Sequence, residues 1–185
     1  GYNTGTDRNT AGSDYFQTFC IEYNEHFNPS TVTYDVTLSD SAMYNGLGAP
    51  NVDPISIGTA WLYSNFAAGT LDGYNYTYGT DRVTSAGLLQ QAIWYLEGET
   101  GGSANNFVTM ATTAAAALGG YTDVFSNAEG AFGVKVMNLW HPTTGAVAQD
   151  QLVVVPEPTT VIAGALLLLP FFLSTLRALR KKRAA

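Results

Sequence analysis

Two short strand-like segments lie in the first forty positions, the second alternating apolar and polar with a period of two, and helical spacing follows them. Phe16 to Tyr23 (Phe-Gln-Thr-Phe-Cys-Ile-Glu-Tyr) predicts a strand. So does Thr31 to Leu38, where Val32, Tyr34, Val36 and Leu38 fall on one side, and Asn28-Pro29-Ser30 supplies the turn between them. Asp53-Pro54 then introduces a helical pattern at Ile57, Ala60, Trp61 and Ser64 to Ala68. Gly73 to Gly79, with Tyr74, Tyr76 and Tyr78, reads as a loop or short strand. A second helix runs through Glu97, capped by Thr84 or Ser85, with Leu88, Leu89, Ala92, Ile93 and Leu96 on its apolar face. Gly98 to Gly102 ends it. An Ala- and Thr-rich third helix, Ala104 to Leu118, stops at Gly119-Gly120. Phe132 to Leu139 and Gln151 to Val155 return to strand character, and Val134, Val136 and Trp140 share a face. The order predicts an α+β domain: a β-sandwich-like sheet built from N- and C-terminal strands, with the helices inserted between them. The first and last strands are expected to pair.

The pattern changes again beyond residue 155. Val161 to Leu176 is a run of 16 residues without charge, slightly short of the roughly 20 that span a bilayer, and arginines that snorkel would lengthen its reach. Arg177, Arg180, Lys181, Lys182 and Arg183 follow, which marks that end as cytoplasmic and the body as external. A buried core helix would not end in such a cluster. Ahead of the run stands Val155-Pro156-Glu157-Pro158, where two prolines remove donors and hold the chain extended. Pro-Glu-Pro, apolar helix and short basic end, in this order, resemble the PEP-CTERM sorting signal. The resemblance covers about 30 residues and implies cleavage near Pro156, Glu157 and Pro158 by an exosortase. It also implies a Gram-negative, exopolysaccharide-making host, with the protein held in the inner membrane before processing and at the surface or in the matrix afterwards. The expected divisions are a body at 1–154, the sorting motif at 155–159, a transmembrane helix at 160–176 and a basic end at 177–185. Export would require a leader already removed ahead of Gly1.

Charge sharpens this division. The chain of 185 residues carries a formal charge of −7, with 19 Gly and 11 Tyr and only 12% charged residues. Arg8, Arg82 and Lys135 are the only cations before the tail, against 14 acids, so the body stands at 3 − 14 = −11. A surface this acidic repels phosphate, which excludes nucleic acid as a partner. Many aromatics and turn formers with few charges suit a β-rich extracellular domain.

Cys20 is the single cysteine, so no internal disulfide can form. Phe19-Cys20 in a strand near the start and Gln90-Gln91-Ala92-Ile93-Trp94 in a helix, 70 residues on from Cys20 to Gln90, form a recognisable pair. Together they resemble the thioester (TQXA-type) domains of bacterial surface adhesins, although Leu89 stands where those domains carry Thr. The resemblance implies a covalent Cys20–Gln90 bond supported by Phe19, Ala92, Ile93 and Trp94, and opened by amines or hydroxyls of a surface target. Gln91 is the neighbouring candidate, but a helix turns about 100° per residue, so only one glutamine can face Cys20. The plainer reading of the same residues is a buried Cys packed as a small hydrophobe and an ordinary core helix.

Other chemistry is less well served. His26 and His141 sit in turn contexts and make no evident pair with Cys20. One Cys and two His lack zinc-ligand spacing. Oxygen donors cluster in Gly-rich loops at Asp7 to Asp14 and Asp72 to Asp81, which leaves calcium open there. Neither follows an EF-hand pattern, so solvated loops are the expectation, with no metal and no cofactor assigned. No carboxylate pair, triad or phosphate loop points to an enzyme. The sequence therefore leaves two functions: a surface protein that couples covalently to a target, or a passive structural or glycan-binding matrix module. In the second, the three tyrosines would either stack on sugar or pack within a strand.

Overall fold

The computed structural model describes residues 17–26, 33–43 and 53–155. The sorting motif, the apolar run and the basic end lie outside these residues, as do the Asn28-Pro29-Ser30 turn and the Asp7 to Asp14 stretch. Among the described residues no helix is long and apolar enough to cross a membrane.

The body is α+β. Strands β1 (Asp35–Ser39), β4 (Val134–Trp140) and β5 (Val147–Val154) form an antiparallel sheet in the order β1-β4-β5. Two short strands, β2 (Ser41–Ala42) and β3 (Asp53–Pro54), pair with each other. Asp53-Pro54 is thus a strand rather than a helix start. Helices α1 (Ile57–Ala67), α2 (Thr80–Leu96) and α3 (Asn106–Ala117) lie between β3 and β4 in the chain, and α1 packs on α2, on α3 and on the sheet.

Each helix start is explained by its local chemistry. Ser56 caps α1, accepting from the Thr59 N–H at 3.1 Å, and Asn105 caps α3, accepting from Phe107 N–H at 3.0 Å. The Asn105 amide also donates to the Leu88 carbonyl, tying α3 to α2. In α2 the expected cap is corrected. The helix begins at Thr80, and Ser85 lies inside it, where its hydroxyl accepts from Asn75 N–H and holds the Tyr-rich loop against the helix. Leu88 is 43% exposed, whereas Leu89, Gln90, Ala92 and Ile93 are fully buried. The buried stripe is therefore rotated from the expected one, because the first turns of α2 face the loop rather than the core.

The strand expected over Phe16 to Tyr23 is not continuous in the described residues. Phe19 to Ile21 run along the free edge of β5: Leu152 N–H donates to Phe19 O, Ile21 N–H donates to Asp150 O, and Cys20 bridges Gln151. The chain then bends at Tyr23 and Asn24 and leaves the ladder. Early and late segments are thereby paired. Val36 and Leu38, each 52% exposed, contribute no core, since β1 is an edge strand with an open face.

The pairing of β4 with β5 carries one irregularity. Met137 pairs with Gln151 and Leu139 with Ala148, so two steps along β4 match three along β5. This β-bulge breaks the usual alternation and leaves Ala148 through Leu152 buried in succession. The Asp150 carboxylate fills the gap, accepting from Met43 N–H at 2.7 Å, Asn138 Nδ2 at 2.9 Å and Leu139 N–H at 3.3 Å. Burial pushes its pKa up to about 6, against the pull of those donors.

A second acid with a raised pKa, the half-buried Glu97, joins α1 to α2. Glu97, just past the end of α2, accepts from the Ser56 hydroxyl at 2.8 Å and the Ser56 N–H at 3.2 Å. Burial raises its pKa to about 7, with the Ser56 donors opposing. The native state therefore holds a proton that the unfolded chain, near the ordinary 4.5, has released. This contribution is fully present below pH 4.5 and is lost as pH rises through about 7, at a total of roughly 3 kcal/mol. Glu97→Gln should flatten the fall and raise the melting temperature at pH 8 by several degrees. Thermal and denaturant unfolding of both forms from pH 4 to 8 check this.

Candidate functional site

The site is built where the early segment, α2 and β5 meet. Phe19 is buried with its ring edge-on to Phe66 at 4.9 Å and to Tyr63 at 6.4 Å, which anchors the segment in the core. The next residue, Cys20, is 2% exposed. Gln90 reaches it from α2 and makes a two-point clamp: Cys20 N–H donates to Gln90 Oε1 at 3.0 Å, and Gln90 Nε2 donates to Cys20 O at 2.7 Å. One amide group satisfies both main-chain groups of Cys20, across 70 residues of chain. The two contacts also fix the amide's orientation, since a carbonyl can only accept and an N–H can only donate.

Gln91 points away. It is exposed, and its main-chain carbonyl accepts from Ser103 N–H. The helical turn separates the two glutamines as geometry requires, and Gln90 faces Cys20. Ala92 and Ile93 are fully buried. Trp94, one turn beyond Gln90, is 8% exposed and packs edge-on to Tyr23 at 5.0 Å. Leu89 is fully buried and offers no hydrogen bond to the amide.

The sulfur has a partner that the sequence pattern did not single out. Gln151 Nε2 donates to Cys20 Sγ at 3.3 Å and to the Gln149 carbonyl at 3.3 Å. The bulge turns Gln149, Asp150 and Gln151 inward together, and Gln149 Nε2 reaches the Glu22 carbonyl at 2.8 Å. Burial pushes the Cys20 thiol above its ordinary pKa, and the Gln151 contact pulls it back. The available signal was the polar run Gln149-Asp150-Gln151 ahead of the apolar Leu152 to Val155. A polar strand start normally reads as exposed.

Other candidates disperse. The thiol's hydrogen-bond partner is an amide rather than an imidazole: His141 Nδ1 accepts from Thr143 and Thr144 N–H in the β4–β5 turn. Asp72 accepts from Gly73 N–H, and among the described residues no group of three His, Cys, Asp or Glu could hold a metal. The tyrosine trio does not form a flat platform. Tyr74 is buried against Phe66, Tyr76 lies over Phe66 with 37% of its surface exposed, and Tyr78 is 61% exposed. Comparison with family models, curated proteins and solved structures found no match to this chain. The chemistry of the site therefore rests on its own geometry.

The contacts place the Gln90 amide on the Cys20 main chain, with both residues buried. The Gln90 carbonyl oxygen already accepts from Cys20 N–H, a donor placed where charge would grow if sulfur attacked the adjacent carbon. Water is excluded by the burial of Phe19, Gln90 and Ile93.

Proposed function

We propose that this chain is an exported surface or matrix protein that couples once to a target through a Cys20–Gln90 thioester. The observation that carries the reading is the buried clamp of the Gln90 amide on Cys20. Burying a glutamine is costly, and an aliphatic side chain would pack the same space on a core helix without that cost. In the reaction the Cys20 sulfur bonds to Gln90 Cδ, the C–N bond breaks, and the nitrogen leaves as ammonia carrying the thiol proton. An amine or hydroxyl of a target then displaces the sulfur and leaves an amide or ester. Because the acyl group is consumed, the protein acts as a reagent, not as an enzyme. No cofactor is called for.

The tail supplies the setting. Pro156-Glu157-Pro158, the uncharged run and the Arg177 to Arg183 cluster support insertion in a membrane with the body outside, then release by an exosortase. Exopolysaccharide or surface amines and hydroxyls are the partners this location offers.

A passive module is the second reading, favoured by one observation: the Gln90 clamp engages the main chain of Cys20, so it would hold the segment in place without any bond. Intact mass of the full chain in detergent separates the two. Coupling requires a mass lower than the sequence by one ammonia, and methylamine should restore it with an added methyl. Full mass, with a thiol that alkylates only on unfolding, would exclude the bond.

A further inference from the structure

Three consecutive polar side chains are buried on β5, with exposures of 0% for Gln149 and Asp150 and 2% for Gln151. Asp150 is accounted for by its three donors. The two glutamines are not. Gln149 Oε1 and Gln151 Oε1 are buried with no hydrogen-bond partner among the described residues. An unmet buried acceptor is costly, and a Leu or Val at either place would avoid the penalty. Strand packing does not explain Gln151, and its other polar atom touches the sulfur of the chain's single cysteine.

We propose that Gln151 is the positioning residue for thioester formation: its amide N–H holds the Cys20 sulfur while that sulfur acts as the nucleophile toward Gln90. This rests on the coupling reading and names the residue that makes it workable. Three features of the geometry support the role. Cys20 and Gln151 are directly opposed across the 19–21 and β5 pairing, so both side chains leave on the same side of the ladder. The Gln149 carbonyl, which can only accept, forces the Gln151 nitrogen rather than the oxygen toward the sulfur. Gln90 is meanwhile pinned to the Cys20 main chain, so it is Gln151 that reaches the sulfur.

The chemistry requires such a donor. The attacking species is the thiolate, and a thiol as buried as that of Cys20, 2% exposed, resists ionisation. An N–H on the sulfur favours the charged form and fixes its direction of approach. The thiol proton leaves with the Gln90 nitrogen as ammonia, so no oxidant or outside base enters the balance.

The test follows bond formation by intact mass after refolding the full chain from denaturant, at a series of pH values. Gln151→Met keeps length and volume but removes the donor. It should slow loss of ammonia by about tenfold or more and move the pH midpoint upward by about one unit. Gln151→Glu keeps an acceptor and adds negative charge, so it should shift the midpoint further in the same direction. A rate and pH profile equal to wild type in Gln151→Met would overturn the role while leaving the coupling reading intact. If wild type itself keeps full mass, the coupling reading fails. Thiolate absorbance of Cys20, titrated in wild type and in both variants, then still tests the hold, and an unchanged midpoint overturns it. Circular dichroism identifies any variant that has not refolded, and the other variant then carries the comparison.

Discussion

Cys20→Ala is expected to lower the unfolding free energy by roughly 5 kcal/mol when the Cys20–Gln90 bond is present, and by about 1 kcal/mol when it is not. The difference comes from the unfolded state. A crosslink across 70 residues removes about 4 kcal/mol of loop entropy from the unfolded chain. The remaining 1 kcal/mol is the small cavity left by a sulfur. Gln90→Ala should cost more in either case. Beyond the crosslink, it leaves the buried N–H and C=O of Cys20 without their partner, at about 1–3 kcal/mol each, so a loss near 4 kcal/mol is expected even without a bond. Both variants abolish the mass deficit, yet they divide cleanly on stability. Methylamine supplies an internal control. It opens the bond without changing the sequence, so treated wild type should fall toward Cys20→Ala in urea midpoint. If treatment leaves the midpoint unmoved, no crosslink was present. A Gln91→Ala control should change neither mass deficit nor midpoint, since Gln91 is exposed.

What could be read from the chain differs between the two halves of the site. Helical periodicity separates Gln90 from Gln91 and puts Gln90 with Ile93 on the inner face, because a 3.6-residue repeat leaves little freedom once several large apolar residues are placed. The edge pairing of Phe19 to Ile21 with the last strand was also an expectation of the pattern. The contribution of β5 was hidden for a definite reason. Strand alternation predicts that of Gln149, Asp150 and Gln151 at least one faces solvent, and only the bulge, set by the opposed register of β4, turns all three inward. Register belongs to a pair of strands and is not written in either one. The tyrosine trio fails similarly. Alternation at Tyr74, Tyr76 and Tyr78 would share a face only on a straight strand, and this segment turns on itself, with the Tyr76 hydroxyl accepting from Leu71 N–H. Ser85 misleads as a cap because its hydroxyl is committed to Asn75.

The cover over the clamp gives the other large effect. The loop after α2 folds back so that Gly102 lies on the helix end and Gly101 lies on the Tyr23 ring. A Cβ on Gly102 would stand 2.3 Å from Tyr95 N and 2.4 Å from Tyr95 Cα, and one on Gly101 would stand 2.0 Å from the Tyr23 ring. The two clashes differ in kind. Main-chain atoms of a buried helix cannot yield, so Gly102→Ala must displace the loop, break Ser103 N–H to Gln91 O and cost about 3–4 kcal/mol. A ring can swing, so Gly101→Ala should expel Tyr23 from its edge contact on Trp94 at a smaller cost in stability. Trp94 and Tyr23 stand one turn from Gln90 and three residues from Cys20, and their rings pack edge-on at 5.0 Å. Under the coupling reading, their separation admits water to the thioester. Hydrolysis, read as the gain of one water in intact mass over days at constant pH, should therefore quicken by about tenfold in Gly101→Ala, equivalent to roughly 1.4 kcal/mol of lost barrier. Gly102→Ala should quicken it further, in step with its lower melting temperature. Tyr23→Ala, which removes the same cover from the other side without touching the loop backbone, should reproduce the Gly101→Ala rate. A Tyr23→Ala protein whose mass deficit persists as long as in wild type would show that water is kept out by the buried Phe19 and Ile93 alone.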